Sequence, residues 1–124
     1  MLNKISTDKA PAAIGPYSQA IVHGGLVFTS GQIPINAVSG NIEATDITAQ
    51  TEQVMKNLVE VLTAAGSSYE KAIKTTCFLA NISDFAAFNE VYGRYFTEKP
   101  ARSCVAVKDL PKGALVEVEV IAEI

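Results

Sequence analysis

The end of the chain alternates. Val116, Val118, Val120 and Ala122 fall on one side of an extended backbone, while Leu115, Glu117, Glu119, Ile121 and Glu123 fall on the other. A period of two belongs to a β-strand, and a side made only of Val and Ala has to be covered. The cover is supplied by a second pattern. From Asp46 to Ala65, Ile47, Val54, Leu58, Val61, Leu62 and Ala65 recur at helical spacing on one stripe, with Gln50, Gln53, Lys56, Asn57, Glu60 and Thr63 largely elsewhere. Asp46 suits the N-cap and Gly66 the C-terminal stop. A one-sided strand and a one-sided helix require a two-layer domain.

The remaining elements fit that plan. Gln19–His23 and Leu26–Ser30 are β-prone runs around Gly24-Gly25, a pair that suits a tight hairpin because both turn positions accept positive φ. Lys71–Ala80 reads as a strand, and Ser83 or Asp84 starts a second helix that runs to Phe96 with Phe85, Phe88, Tyr92 and Tyr95 on its apolar side. Ala101–Lys108 and Ala114–Ile124 are the last strands. The order is β, hairpin, α, β, α, β, β: an α+β domain over residues 1–124 with a mixed sheet and two helices on one face. The other face carries Leu115 and Ile121 among carboxylates, a mixture that suits contact with a second subunit.

Charge narrows the function. Ten basic residues against 13 acidic ones give a net charge of −3, and no cluster of Lys and Arg marks a phosphate-binding groove, so nucleic acid is not the expected partner. The N-terminus lacks the apolar run of a signal peptide, and no stretch has the roughly 20 apolar residues of a membrane span. A cytoplasmic protein with Cys77 and Cys104 reduced is the expectation. One His and two Cys cannot form a structural zinc site, so no metal is expected.

Five residues stand out chemically. Arg102 and Cys104 share one strand face; an Arg there needs an anion, either Glu117 or Glu119 in an ion pair or the carboxylate or phosphate of a small ligand. Glu117 and Glu119, about 7 Å apart by strand rise, fit either a solvated edge or acid–base chemistry. Cys104 has no His beside it and reads as a packed small residue before a nucleophile. Tyr17, after Gly15-Pro16, reads either as a core phenol or as a lid over a ligand.

Taken together, Ala10-Pro11-Ala12-Ala13-Ile14-Gly15-Pro16-Tyr17-Ser18-Gln19, Thr29-Ser30-Gly31-Gln32-Ile33-Pro34, Phe88-Asn89-Glu90-Val91-Tyr92, Pro100–Val105 and Leu115–Ala122 resemble the RidA family of reactive intermediate deaminases. The resemblance implies a chorismate-mutase-like fold and a homotrimer with sites between subunits. It also implies hydrolysis of 2-imino acids, such as 2-iminobutanoate and 2-iminopropanoate, to 2-oxo acids and ammonia without a cofactor. By the same resemblance Arg102 is the carboxylate clamp and Glu117 positions the attacking water. Backbone groups of Gly31 and Cys104 touch substrate, Tyr17 is a wall from the neighbouring subunit, and Asn89 lies near the cleft. Thr97-Glu98-Lys99 is shorter than the corresponding loop of many relatives. The alternatives are a non-catalytic binder of 2-oxo or amino acids and an endoribonuclease.

Overall fold

The computed structural model describes residues 2–124. Six strands form one mixed sheet: β1 (Asn3–Ile5), β2 (Ala20–His23), β3 (Leu26–Thr29), β4 (Ala72–Leu79), β5 (Ala101–Ala106) and β6 (Val116–Glu123), in the spatial order β1-β2-β3-β6-β4-β5. The C-terminal strand inserts between β3 and β4 and runs antiparallel to both, whereas β4 and β5 are parallel and joined through a helix. Two helices, α1 (Ile47–Ala64) and α2 (Phe85–Tyr95), pack on the sheet. The architecture is the two-layer α+β arrangement that the strand and helix periodicities require.

Local chemistry explains the boundaries. Asp46 caps α1 by accepting the Ala49 amide at 2.8 Å. At the other end Gly66 takes φ +85°, and the Ser67 amide donates to Leu62 O, a Schellman closure. Gly24 and Gly25 both have positive φ, as a two-residue hairpin turn demands. The start of α2 differs from expectation: a 3-10 turn over Ile82–Asp84 leads in, and the Asp84 side chain caps nothing.

The core lies between the layers. Val54, Leu58, Val61 and Leu62 of α1 and Phe88 and Val91 of α2 are fully buried over Val116, Val118, Val120 and Ala122, each worth roughly 1.5–3 kcal/mol for the larger side chains. Two polar residues that the periodicity set aside are also buried. Asn57 donates to the carbonyls of Ile33 and Ile35 at 3.1 and 2.9 Å. Gln50 donates to Ala44 O and accepts the Leu115 amide at 2.8 Å. Both pin the loop after β3 and the entry to β6, where backbone groups lack sheet partners. The opposite sheet face has no helix. It presents Phe78, Ile121 and the exposed Phe28 and Val105 alongside Glu117 and Glu119.

Candidate active site

Glu117 projects from that open face. Beyond the end of β3, Gln32 pairs with Val118, its amide donating to Val118 O at 2.8 Å and its carbonyl accepting at 3.1 Å. This bridge lays Gly31 against Glu117 so closely that a Cβ on Gly31 would stand 2.3 Å from the carboxylate Oε2. Only glycine leaves that carboxylate its position. The space above it is a cleft of about 460 Å³ whose walls include Pro11, Ile14, Tyr17, Gly31 and Ile33. Burial, and secondarily the charge of Glu119, push the Glu117 carboxyl above its ordinary value. The apolar wall is an irregular strap, Thr7–Ser18. Buried Gln19 staples it, accepting the Thr7 amide at 2.7 Å and donating to Thr7 O and Pro11 O at 3.0 and 2.8 Å.

Arg102 occupies a different place. It lies opposite Thr75 in the β4–β5 ladder, and Thr75 is fully buried on the helix side. The guanidinium therefore reaches α2, where Nη1 donates to Asn89 Oδ1 at 2.7 Å and Cζ sits 4.8 and 5.5 Å from the Tyr92 and Phe85 ring centroids. A second cleft, of about 340 Å³, contains Asn89, Tyr92, Lys99, Pro100 and Arg102. Cys104, two residues along the same face, packs against the core with its thiol pushed up by burial, against the opposing effect of Arg102. A neutral thiol is a poor nucleophile. Cys77, its neighbour across the ladder, is pushed up to about 12 by burial.

The two halves do not meet within one chain. Glu117 pairs with Phe78 on the open face, Arg102 with Thr75 on the covered face, so an ion pair between Arg102 and Glu117 or Glu119 is not formed. The salt bridge among the described residues is Arg94–Glu52, at 2.9 Å. Within one chain, therefore, Arg102 does not offset the burial that pushes the Glu117 carboxyl up. Tyr17 and Gly31 belong with Glu117 in one cleft of one chain, while Asn89 and the Cys104 strand belong with Arg102. Sequence reasoning passed over Gln19, Gln50 and Asn57 as structural ties. The signal was available for the last two: polar residues at positions 50 and 57 bracket Val54 at core spacing. Phe85, placed on the apolar side of α2, is 38% exposed and meets Arg102.

A six-stranded mixed sheet with both helices on one face and a carboxylate cleft on the other defines a small two-layer α+β class. A family model described as Endoribonuclease L-PSP matches residues 7–124. A RutC family protein of Pyrococcus horikoshii is 50% identical over 123 residues, covering 98% of each chain. The chloroplastic Reactive Intermediate Deaminase A of Arabidopsis thaliana is 47% identical over 119 residues, covering 95% of this chain and 64% of that protein. The crystal structure of E. coli TdcF with bound serine superposes with a TM-score of 0.93 at 43% identity, covering 98% of each chain. The chain belongs to this L-PSP, RutC and Rid family. Among the described residues no three His, Cys, Asp or Glu side chains gather to hold a metal ion, and no helix is long and apolar enough to cross a membrane.

Proposed function

We propose that the protein hydrolyses reactive 2-imino acids and their enamine tautomers, 2-iminobutanoate and 2-iminopropanoate among them, to 2-oxo acids and ammonia. The observation that carries this reading is the separation of two unpaired charges: among the described residues, a guanidinium with no carboxylate partner and a half-buried carboxylate with no cation partner. A homotrimer packed through the open sheet faces would bring Arg102 of one subunit to the Glu117 cleft of the next. Arg102 then takes the substrate carboxylate in two charge-assisted hydrogen bonds, with Asn89 steadying it. Backbone groups of Gly31 and Cys104 contact the imine, and Tyr17 closes the cleft wall. A protonated imine is already electrophilic, so the protein has to orient it and deliver water. Glu117 accepts a proton from that water as its oxygen bonds to C2 and passes it to the amine nitrogen. The C–N bond then breaks as the hydroxyl proton is lost to Glu117, leaving the 2-oxo acid, and the released ammonia carries that proton away as ammonium. The reaction as written uses no cofactor, and its imine substrates form by tautomerisation of the enamines that pyridoxal-phosphate dehydratases release.

The test supplies 2-imino acid from a dehydratase and follows free 2-oxo acid. Acceleration beyond water supports the reading, and an unchanged rate refutes it. Serine bound to E. coli TdcF favours a second reading, a binder of small amino or 2-oxo acids without turnover, which the same assay separates. Ribonuclease activity, suggested by the family model's description, meets a net charge of −3; RNA binding would weaken steeply as salt rises, whereas imine turnover would respond mildly.

A further inference from the structure

We infer that Phe85 and Tyr92 form an aromatic slot that fixes the plane of the Arg102 guanidinium, making both of them positioning residues for the carboxylate clamp. The inference rests on the reading of Arg102 as that clamp. Phe85, Asn89 and Tyr92 are spaced four and three residues apart and form one stripe along α2. All three touch the same side chain. The Arg102 Cζ lies within reach of both ring faces, 4.8 Å from Tyr92 and 5.5 Å from Phe85, while Asn89 Oδ1 accepts from Nη1.

One wall of the slot is rigid. Tyr92 is buried, its ring stacks on Phe96 at 4.5 Å, and its hydroxyl is 2.7 Å from the Thr75 hydroxyl. Thr75 is also the residue that faces Arg102 across the β4–β5 ladder, so strand and helix are tied at the point where the guanidinium rests. The other wall is exposed. Phe85 opens α2 where core burial offers it little, and its contact with a cation gives the ring a use that hydrophobic cover alone would not.

The arrangement solves a conflict in holding an arginine for a ligand. An acidic partner would fix the side chain but would occupy the N–H edge and neutralise the charge that a substrate carboxylate needs. Aromatic rings grip the face of the guanidinium and leave its edge free, and Asn89 takes one of five N–H donors. A lysine ammonium has no flat face for such a slot.

The experiment measures kcat and KM for a dehydratase-generated 2-imino acid, and the Kd for 2-oxobutanoate by calorimetry, in Phe85→Leu, Phe85→Tyr, Tyr92→Phe and Arg102→Lys. Because Phe85 is exposed, its variants should fold. A clamp that holds the carboxylate equally in the ground and transition states moves KM and leaves kcat. Phe85→Leu should raise KM and Kd together by about fivefold with kcat within about twofold, and Phe85→Tyr should restore both. Tyr92→Phe, which keeps the ring, should be milder than Phe85→Leu. Unchanged KM and Kd in Phe85→Leu beside a strongly impaired Arg102→Lys would overturn the slot while sparing the clamp. A fall in kcat at constant KM would also overturn it, since the ring would then act on the chemical step and not on how the carboxylate is held. Near-normal behaviour of Arg102→Lys would remove the clamp, and the slot with it.

Discussion

The two clefts of this chain are built from opposite materials. The Glu117 cleft is walled by an irregular strap and a loop, mostly apolar, with one glycine making room for a carboxylate. The Arg102 cleft is walled by a helix and an edge strand, with aromatic rings and an amide facing a guanidinium. An apolar wall raises a carboxyl's proton affinity, which suits a group that must take a proton from water. Aromatic faces hold a cation without neutralising it, which suits a group that must stay available to an anion. On this account one half holds the substrate and the other reacts with it, and each half is left chemically incomplete by its own chain.

The sharpest break in that division is Arg102→Lys. Charge is kept but two-pronged geometry is lost, so kcat/KM should fall by roughly 2–4 kcal/mol in transition-state terms. Steady-state kinetics giving near-normal values would make Arg102 purely structural. Glu117→Gln should then lower kcat about 10²-fold or more while leaving 2-oxo acid affinity much less affected, because the clamp is intact. Parallel loss of binding would contradict the division of labour. Glu119→Gln is the control. Glu119 raises the Glu117 carboxyl, so its removal should let Glu117 ionise at lower pH. The acid limb of the pH–rate profile, where activity is lost as Glu117 takes up its proton, should shift downward.

Smaller effects sharpen the comparison further. In Gly31→Ala the new Cβ forces the Glu117 side chain aside, and kcat should drop about tenfold or more while KM changes little. If instead both parameters held, the close approach of Gly31 would have no catalytic meaning. Cys104→Ser should be nearly silent, within about twofold, because a thiol held neutral by burial contributes only its backbone.

Much of the fold was legible because it rests on local periodicity. The two-residue repeat of β6, the helical stripe of α1 and the Gly24-Gly25 turn each encode an element through its own side chains. The site was legible as residue types rather than as an assembly. Which face Arg102 occupies depends on the parallel register that sets it opposite Thr75, a long-range pairing that alternation within β5 cannot reveal. Likewise the burial of Gln50 and Asn57 follows from a loop needing hydrogen bonds, and the sequence of α1 shows only two polar interruptions in an apolar stripe.

The most direct test of the central claim mixes two inactive chains. Co-expressed Arg102→Lys and Glu117→Gln variants, with mixed trimers confirmed by native mass spectrometry, are assayed for 2-imino acid hydrolysis. If each site takes Arg102 from one subunit and Glu117 from the next, every mixed trimer restores one site of three, and random assembly at equal ratio restores about a quarter of all sites. Activity should therefore rise far above that of either parent. Mixed trimers no more active than the two parents would show that the residues do not act across subunits, and the account would fail.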